Sequence, residues 1–590
     1  MCHLSRLARG RTLVSHSRSM SDPGSTHFRN GRVRPLDGTD THHEALGVRG
    51  GRVVAVGSES DVRRTLGPGA DIVDLRGATV IPGLVDTHPH LMHFGVLAHP
   101  LIDLSDAASH ADIVARIAAR ARETPLGEWL LTTPVGEPHY FLRRSWHDLA
   151  EGCLPDRHVL DRATTAHPVM IQAWAPVIPN VCALNSAGLA KLRLGRDTPA
   201  QNDHVWLEKD AAGEPTGILR GSVTNYYTGD DFMNRLLREL PLLRGDAILP
   251  GTRAAMRAYN ALGVTAVYEG HAMDLGLIES YRMLRREGAL TMRVLTALEA
   301  ELYTLPFDEP LSDDEFDARL KLASGLVDVS DDWLRVEGVT VSRGGPCWPG
   351  FLLMRDPYRG PYGELTTGRS FVARAKARRA MEYCAAHGLR LNVIVAGTGE
   401  HDEYLADLEA VAASGGVRER HWILQHAYFV EPEQARRYGA LGFDVTTSMS
   451  FSWGKGDMFV ERLGERVLPH LIPLRSLLDA GMTVACGTDW GPKNVFEHVA
   501  LALTHRFCGS GRTNRGPAQM VTRGEALAMW TRDAARVLRW EGIGTLAPGG
   551  HADLVVVDRD PMECDVEALA RTRVLRTVLA GSAVYDSGAL

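Results

Sequence analysis

The sequence predicts an α/β fold of parallel strands joined by crossover helices, and three observations predict it. A helical stretch, a glycine and a short apolar strand recur as a unit; His and Asp residues fall at the C-terminal ends of those strands; and strand-like segments crowd both ends of the chain. The clearest units are RAAMRAYNALG, ending at Gly263, before VTAVYEGH; ARRAMEYCAAHG, ending at Gly388, before LRLNVIV; EQARRYGALG, ending at Gly442, before FDVTTS; and RSLLDAG, ending at Gly481, before MTVACGTD. Each glycine stands where a left-handed C-cap would end a helix. Helices alternating with β-branched apolar strands ask for a buried parallel sheet. A (β/α)8 barrel carries its chemistry at the C-terminal ends of its strands, where His271, His426 and Asp489 fall. An open doubly wound sheet shows the same alternation, so periodicity leaves both arrangements standing.

Taken in chain order, residues 1–24 read as a disordered tail. Arg6, Arg9, Arg11 and Arg18 with several serines and no acid resemble a transit peptide, and a true start at Met20 explains the same composition. Between Asn30 and Asp74, NGRVRPL, ALGVRGGRVVAVG and ADIVDL alternate β-branched residues with Gly-rich turns. HADLVVVD, RVLRTVLAG and SAVYD supply similar strands near the other end. Chain ends often meet at a domain surface, so 25–80 and 540–590 are expected to build one small β-sandwich domain, with the barrel spanning 81–539. The stretch at about 127–229 breaks the rhythm with turn signals such as DAAGEPTG and is read as an insertion over the barrel mouth.

Bulk properties narrow the partners. The chain has 590 residues, 44% hydrophobic and 23% charged, with a formal net charge of −7. That balance suits a soluble globular protein and gives no basic footprint for nucleic acid or anionic lipid, so a small-molecule substrate is the expectation. No run approaches the roughly 18 apolar residues of a membrane span. Eight cysteines scatter singly without a CxxC pair, which fits a reducing, cytoplasmic setting. A homodimer is compatible with all of this.

The strongest local signal is VIPGLVDTHPHL, residues 80–91. Two histidines two apart on a strand face the same way, and Pro89 between them is tolerable only where the strand ends, so His88 and His90 are expected at a strand tip. Imidazole is a common zinc ligand, and a catalytic site needs about three protein ligands and an open position. An isolated HxH would more often be a pair of hydrogen-bonded histidines. ERHWILQHA, with His426 at the end of an apolar strand, and MTVACGTDWGP, with Asp489 at the end of another, tip the balance, because an unpaired carboxylate in a barrel mouth is costly unless a cation meets it.

These pieces, with NGRV, GGRVVAVG, GEPTG, RGEALAMWTRDAARVL and IGTLAPGGHADLVVVDRDP, resemble the amidohydrolase superfamily, specifically its family 3 or YtcJ-like branch, which includes formamide deformylases. The resemblance runs from about residue 28 to 565. It implies a (β/α)8 TIM-type barrel with a β-sandwich from both termini and a metal at the strand tips. It also implies that His88 and His90 are the first-strand ligands, His426 the sixth-strand histidine, and Asp489 the eighth-strand aspartate that binds metal and shuttles a proton. The sequence departs from the pattern at three places. Thr340 stands where relatives carry a bridging lysine on the fourth strand, Ala396 where the fifth strand ends in histidine, with Glu400 following, and Asn180 where another histidine is common. One metal is therefore expected, zinc first, with iron or manganese as alternatives. His426 is either a further ligand or a donor to the developing oxyanion. Glu269 and His271, placed after the third strand, Cys347 and His401 are weaker substitute ligands, and Asp86 is a guess for a residue that orients the ligand histidines.

The reaction expected is hydrolysis of a C–N bond outside peptides, a formamide, other amide or cyclic amide, with Asp489 as general base and then acid. Two rivals stay open: a ligand-binding member of the fold without catalysis, and a mononuclear lyase or decarboxylase. Of Trp174, Trp348, Phe451, Trp453 and Trp490, core is the default for most, and Trp490 is the one expected to touch substrate.

Overall fold

The computed structural model describes residues 24–98, 100–136, 143–174, 177–227, 230–344 and 346–590. The tail expected at the N-terminus, apart from Gly24, lies outside them, as does Met20. Eight strands form the central sheet: β1 Leu84–Asp86, β2 Val264–Glu269, β3 Arg293–Glu299, β4 Leu334–Ser342, β5 Leu391–Val395, β6 Ile423–His426, β7 Asp444–Thr447 and β8 Val484–Cys486. They neighbour one another in that order, and all seven pairings are parallel. Strands β1 and β8 are not paired along their length, because the backbone at Met529 and Trp530 wedges between them, taking Cys486 N–H and Val85 N–H. The ring closes just beyond the strand ends, where Thr87 N–H donates to Cys486 O at 3.3 Å and Asp489 N–H donates to His88 O at 2.7 Å. The arrangement is a TIM-type barrel, and the open-sheet alternative falls.

The local signals work as the sequence predicts. The helix Arg374–His387 ends on Gly388, which takes φ 75° and donates its N–H to Cys384 O. Positive φ recurs at Gly263, Gly442 and Gly481, where the other three units turn into their strands. Every residue of β1, β2, β3 and β5 is buried, as a parallel sheet covered on both faces requires.

Two further sheets come from the chain ends. A four-stranded sheet orders Arg52–Gly57, Ala45–Arg49, Ser25–Arg29 and Asp71–Asp74, and a five-stranded sheet orders Arg32–Val33, Thr79–Pro82, Leu554–Val557, Val574–Leu579 and Ser582–Asp586. Phe28, Val48, Val80, Leu554 and Val578 share one core between them. The second sheet docks on the barrel through a buried pair, Arg293 Nε donating to Asp553 Oδ2 at 2.6 Å. Breaking such a pair from one side costs about 3–5 kcal/mol, because the other charge stays buried.

Between β1 and β2 a six-stranded sheet spans Leu130–Thr132 to Pro215–Gly221 in sequence. Its strands alternate faces: Cys182 and Leu184 join one core with Trp174, and Val181 and Ala183 join another with Ile113 and Ile117. The partly buried Trp490 packs against the first core, which brings this insertion to the barrel mouth. Among the described residues no helix is long and apolar enough to cross a membrane, and seven cysteines are unpaired.

Candidate metal centre at the barrel mouth

Strand β1 ends at Asp86, so His88 and His90 stand on the loop that leaves it. Strand alternation is therefore not what aligns them; His90 takes φ 48°, and the turn brings the rings together. Their Nε2 atoms lie 3.0 Å apart. Asp489 Oδ1 lies 3.4 Å from the first and 3.2 Å from the second. Ligands about 2.1 Å from an ion in a tetrahedral array stand roughly 3.4 Å from one another, so this triangle has the dimensions of a zinc-type ligand set.

The backbone explains how residues so distant in sequence meet. A side chain at Gly487 would place its Cβ 2.3 Å from His88 N, so glycine alone lets the end of β8 lie against the first loop. Asp86 accepts the N–H of His88 and of Thr488, each at 3.0 Å, and the Thr488 hydroxyl at 2.7 Å. Asp86 thus holds the two backbones and does not touch an imidazole ring, which corrects the role guessed for it. Positive φ at His90, His426 and Asp489, at 48°, 71° and 49°, is a strain that side-chain-bearing residues rarely adopt and that functional sites store.

His426 caps β6 with its ring centroid 5.1 Å from that of His88. One nitrogen of His426, one of His88 and a carboxylate oxygen of Asp489 lie within 4.8 Å of each other. His426 Nδ1 faces Cys347 Sγ at 3.0 Å. Its Nε2 is buried with no hydrogen-bond partner among the described residues. A buried imidazole nitrogen without a protein partner is costly unless another group completes it. Burial pushes the pKa values of His90 and His426 well below the ordinary imidazole value, which leaves the neutral, lone-pair-bearing form. Burial would raise that of Asp489, but hydrogen bonds from His88 and His90 hold it well below the carboxylate range. His88 and Asp489 belong to both groupings, one completed by His90 and the other by His426; all four residues are under 10% exposed, and neutral imidazoles with a carboxylate suit a divalent cation.

The weaker candidates fall elsewhere. Glu269 Oε1 accepts the N–H of Leu91 and of Met92, at 2.7 and 3.2 Å, and caps the helix Leu91–Ala98; burial raises its pKa to about 7. His401 spends both nitrogens on Tyr438 Oη and Tyr428 O. Among the described residues, Cys347 meets the cluster through His426 Nδ1. His271 follows the second barrel strand, not the third as expected, and its ring stands 5.4 Å from that of His90. Its nitrogens are engaged by Glu299 and Tyr227, each at 3.0 Å. Thr340 donates its hydroxyl to Gly270 O. Ala396 is buried above Glu400, whose carboxylate takes the Ala396 N–H. Asn180 begins a strand of the insertion and bonds its own neighbour, Val181 N–H. Trp174, Trp348, Phe451 and Trp453 are buried, while Trp490 stacks on His90 at 5.0 Å.

Sequence reasoning passed over several neighbours of the cluster. Gln425 Nε2 approaches His88 Nε2 at 3.4 Å. Lys493 Nζ donates to the Asp489 carbonyl over the Phe94 ring, and burial lowers its pKa to about 7. Lys455 Nζ reaches Cys347 O and Tyr428 Oη, at 3.0 and 3.1 Å. Glu299, the last residue of β3, was within reach of the strand-tip rule that found His426 and Asp489. Tyr227, on the insertion, carries no local signal.

Comparison with known proteins fits this geometry. The model of the amidohydrolase family matches residues 71–585. The chain is 27% identical over 577 residues to N-substituted formamide deformylase of Arthrobacter pascens, covering 94% of this chain and 97% of that one. It is 24% identical over 561 residues to the putative amidohydrolase YtcJ of Bacillus subtilis, covering 92% and 96%. Among solved structures, an uncharacterised metal-dependent hydrolase of Pyrococcus horikoshii superposes with a TM-score of 0.68 at 21% identity, covering 92% of this chain and 99% of that one. Another from Pyrococcus furiosus gives 0.67 at 22%, covering 91% and 100%. These two likenesses establish the fold.

Proposed function

We propose, from the premise that this chain belongs to the amidohydrolase family, that it is a metal-dependent hydrolase cleaving a non-peptide C–N bond in a small molecule. It holds one divalent ion, zinc by the chemistry of the donors, on His88, His90, His426 and Asp489. The observation that carries the reading is the triangle of His88 Nε2, His90 Nε2 and Asp489 Oδ1, with edges of 3.0, 3.4 and 3.2 Å. The name of one relative, N-substituted formamide deformylase, points the same way, and a formamide is the substrate class it favours.

A cation held there supplies a Lewis acid that acidifies water and polarises a carbonyl. Asp489 takes the proton of the attacking water on its carboxylate and returns it to the leaving nitrogen, as general base and then acid. Asp86 and Gly487 keep the loop after β1 and the loop after β8 in register, so that base and ligands hold their spacing. Cys347 fixes the ring plane of His426 through Nδ1, leaving Nε2 to ligate. Trp490, stacked on His90, offers an apolar face to the substrate. Thr340 and Ala396 provide no ligand for a second ion, which supports a single one.

Elemental analysis of protein purified without chelators tests the metal: about one ion per chain is expected, and none after His88→Ala. Turnover is tested with N-phenethylformamide, scoring release of formate and amine. In ¹⁸O-water the label enters formate if water is the nucleophile, and unlabelled product would favour a lyase instead.

A further inference from the structure

The geometry points to Gln425 as the catalytic hydrogen-bond donor to the oxygen of the scissile carbonyl, with Asn392 as its positioning residue. The assignment rests on the reading of the cluster as a C–N hydrolase and adds the group that meets the charge formed on that oxygen.

Strand alternation puts Gln425 inside the barrel. On β6, Ile423 shares a core with Val85 of β1, Leu295 of β3 and Ala485 of β8, strands on different sides of the ring. Gln425, two residues on, faces the same way one layer nearer the C-terminal mouth and is 1% exposed. There its Nε2 lies 3.4 Å from His88 Nε2, and no other partner meets that nitrogen among the described residues. Which end of the amide faces the cluster follows from a chain of donors and acceptors. Gly270 O only accepts, so the Asn392 group 3.0 Å from it is the amide nitrogen, because an oxygen there would repel it. The same nitrogen donates to Gln425 Oε1. With its oxygen taken by Asn392 of β5, Gln425 turns its N–H groups to the cluster. The neutral network thus aims a donor at the ligand atoms.

A cation on His88 Nε2 occupies the lone pair that the amide faces, and the buried Gln425 N–H then calls for another acceptor. Two oxygens come to this spot in the reaction. The attacking water gives its proton to Asp489, and a donor on its oxygen would lower its nucleophilicity. The carbonyl oxygen gains negative charge as the new bond forms, and a donor fixed beside it beforehand lowers the barrier without reorganising. The cluster supplies no such donor itself. Asp489 and the imidazole lone pairs of His88, His90 and His426 face a cation as acceptors, and Lys493 gives its ammonium to the Asp489 carbonyl.

Gln425→Met keeps the length of the side chain and removes the donor. On N-phenethylformamide with the ion saturating, kcat is expected to fall about 10²–10³-fold, with KM little changed and metal content unaltered. Asn392→Leu, which frees the amide to turn, is expected to lose less of kcat at the same KM. A second arm does not depend on turnover: benzylphosphonate, a tetrahedral anion, is titrated calorimetrically into the metal-loaded proteins. Gln425→Met is expected to bind it at least about tenfold more weakly than wild type. A glutamine that only supports His88 would instead weaken the ion, read by competition with a chelator, and leave phosphonate affinity at saturating ion unchanged. Equal phosphonate affinity in the two metal-loaded proteins, or no binding by wild type, overturns the assignment, while release of formate still decides the hydrolase reading. Wild type that binds benzylphosphonate but releases no formate counts against the formamide substrate, and the binding arm still decides the role of Gln425.

Discussion

The two sides of the barrel mouth are built from the same kind of strand tip and carry opposite chemistry. Around β1, β6 and β8 stand three imidazoles and a carboxylate, with His426 Nε2 buried and unpaired among the described residues. Between β4 and β5 two uncharged side chains bond one another: Thr340 and Asn392 both donate to Gly270 O, and Asn392 Nδ2 also reaches Thr340 Oγ1 at 3.2 Å. Among the described residues, Asn392 Oδ1 and, just after β4, Arg343 Nε are without a partner there. Polar groups that satisfy one another stabilise a core, whereas a buried imidazole nitrogen with no protein partner raises its energy until something binds. The comparison teaches that a strand tip becomes a site when its polar atoms are left unfinished.

The sharpest way to break this contrast is to remove one member from the unfinished side. His88→Ala is expected to abolish ion binding and to lower turnover by more than about 10³-fold, because the water loses its pKa depression. Retained metal at one per chain, measured by elemental analysis, would show that the cluster is not the ligand set.

On the finished side the expected effects are on stability. Burial raises the pKa of Glu400, beside Ala396, from 4.5 to about 7. The folded chain thus binds this proton more tightly than the unfolded one, so the stability it lends is whole below about pH 4.5 and is lost as pH rises through about 7. The span corresponds to something on the order of 3 kcal/mol. Denaturant titrations from pH 4.5 to 8 should show that loss in wild type and a shallower one in Glu400→Gln.

Two milder changes separate neighbours of the ligands from the neutral network. Cys347→Ala leaves His426 Nδ1 without its partner and is expected to weaken ion affinity about tenfold, read by competition with a chelator. Thr340→Val deletes one of the two donors to Gly270 O and should cost about 1 kcal/mol with metal content and turnover unchanged. A loss of metal in Thr340→Val would erase the distinction between the two sides.

Much of this architecture is legible from the chain alone. Glycines 263, 388, 442 and 481 mark helix ends because positive φ at those turns favours a residue without a side chain, and that constraint is local. The strands read as apolar runs because both faces of a parallel sheet are covered. His426 is found by its place at the end of β6, whereas Asp489, like the HxH pair, lies on the loop just past its strand. The HxH pair is found for the wrong geometric reason, since the histidines lie past the strand and a turn aligns them. His271 is named in the sequence only as a weaker substitute ligand; its hydrogen-bond partners, Tyr227 and Glu299, are 44 and 28 residues away and nothing in its own segment announces them.

Residue types and their spacing by themselves determined the alternating fold and the presence of ligand chemistry at particular strand ends, since both follow from interactions between near neighbours in the chain. Which polar groups finish one another and which remain open was decided only by closure of the barrel. That closure brings Asp86 against Thr488 across 402 residues of sequence and sets the insertion's Tyr227 beside His271, contacts whose existence depends on the packed whole.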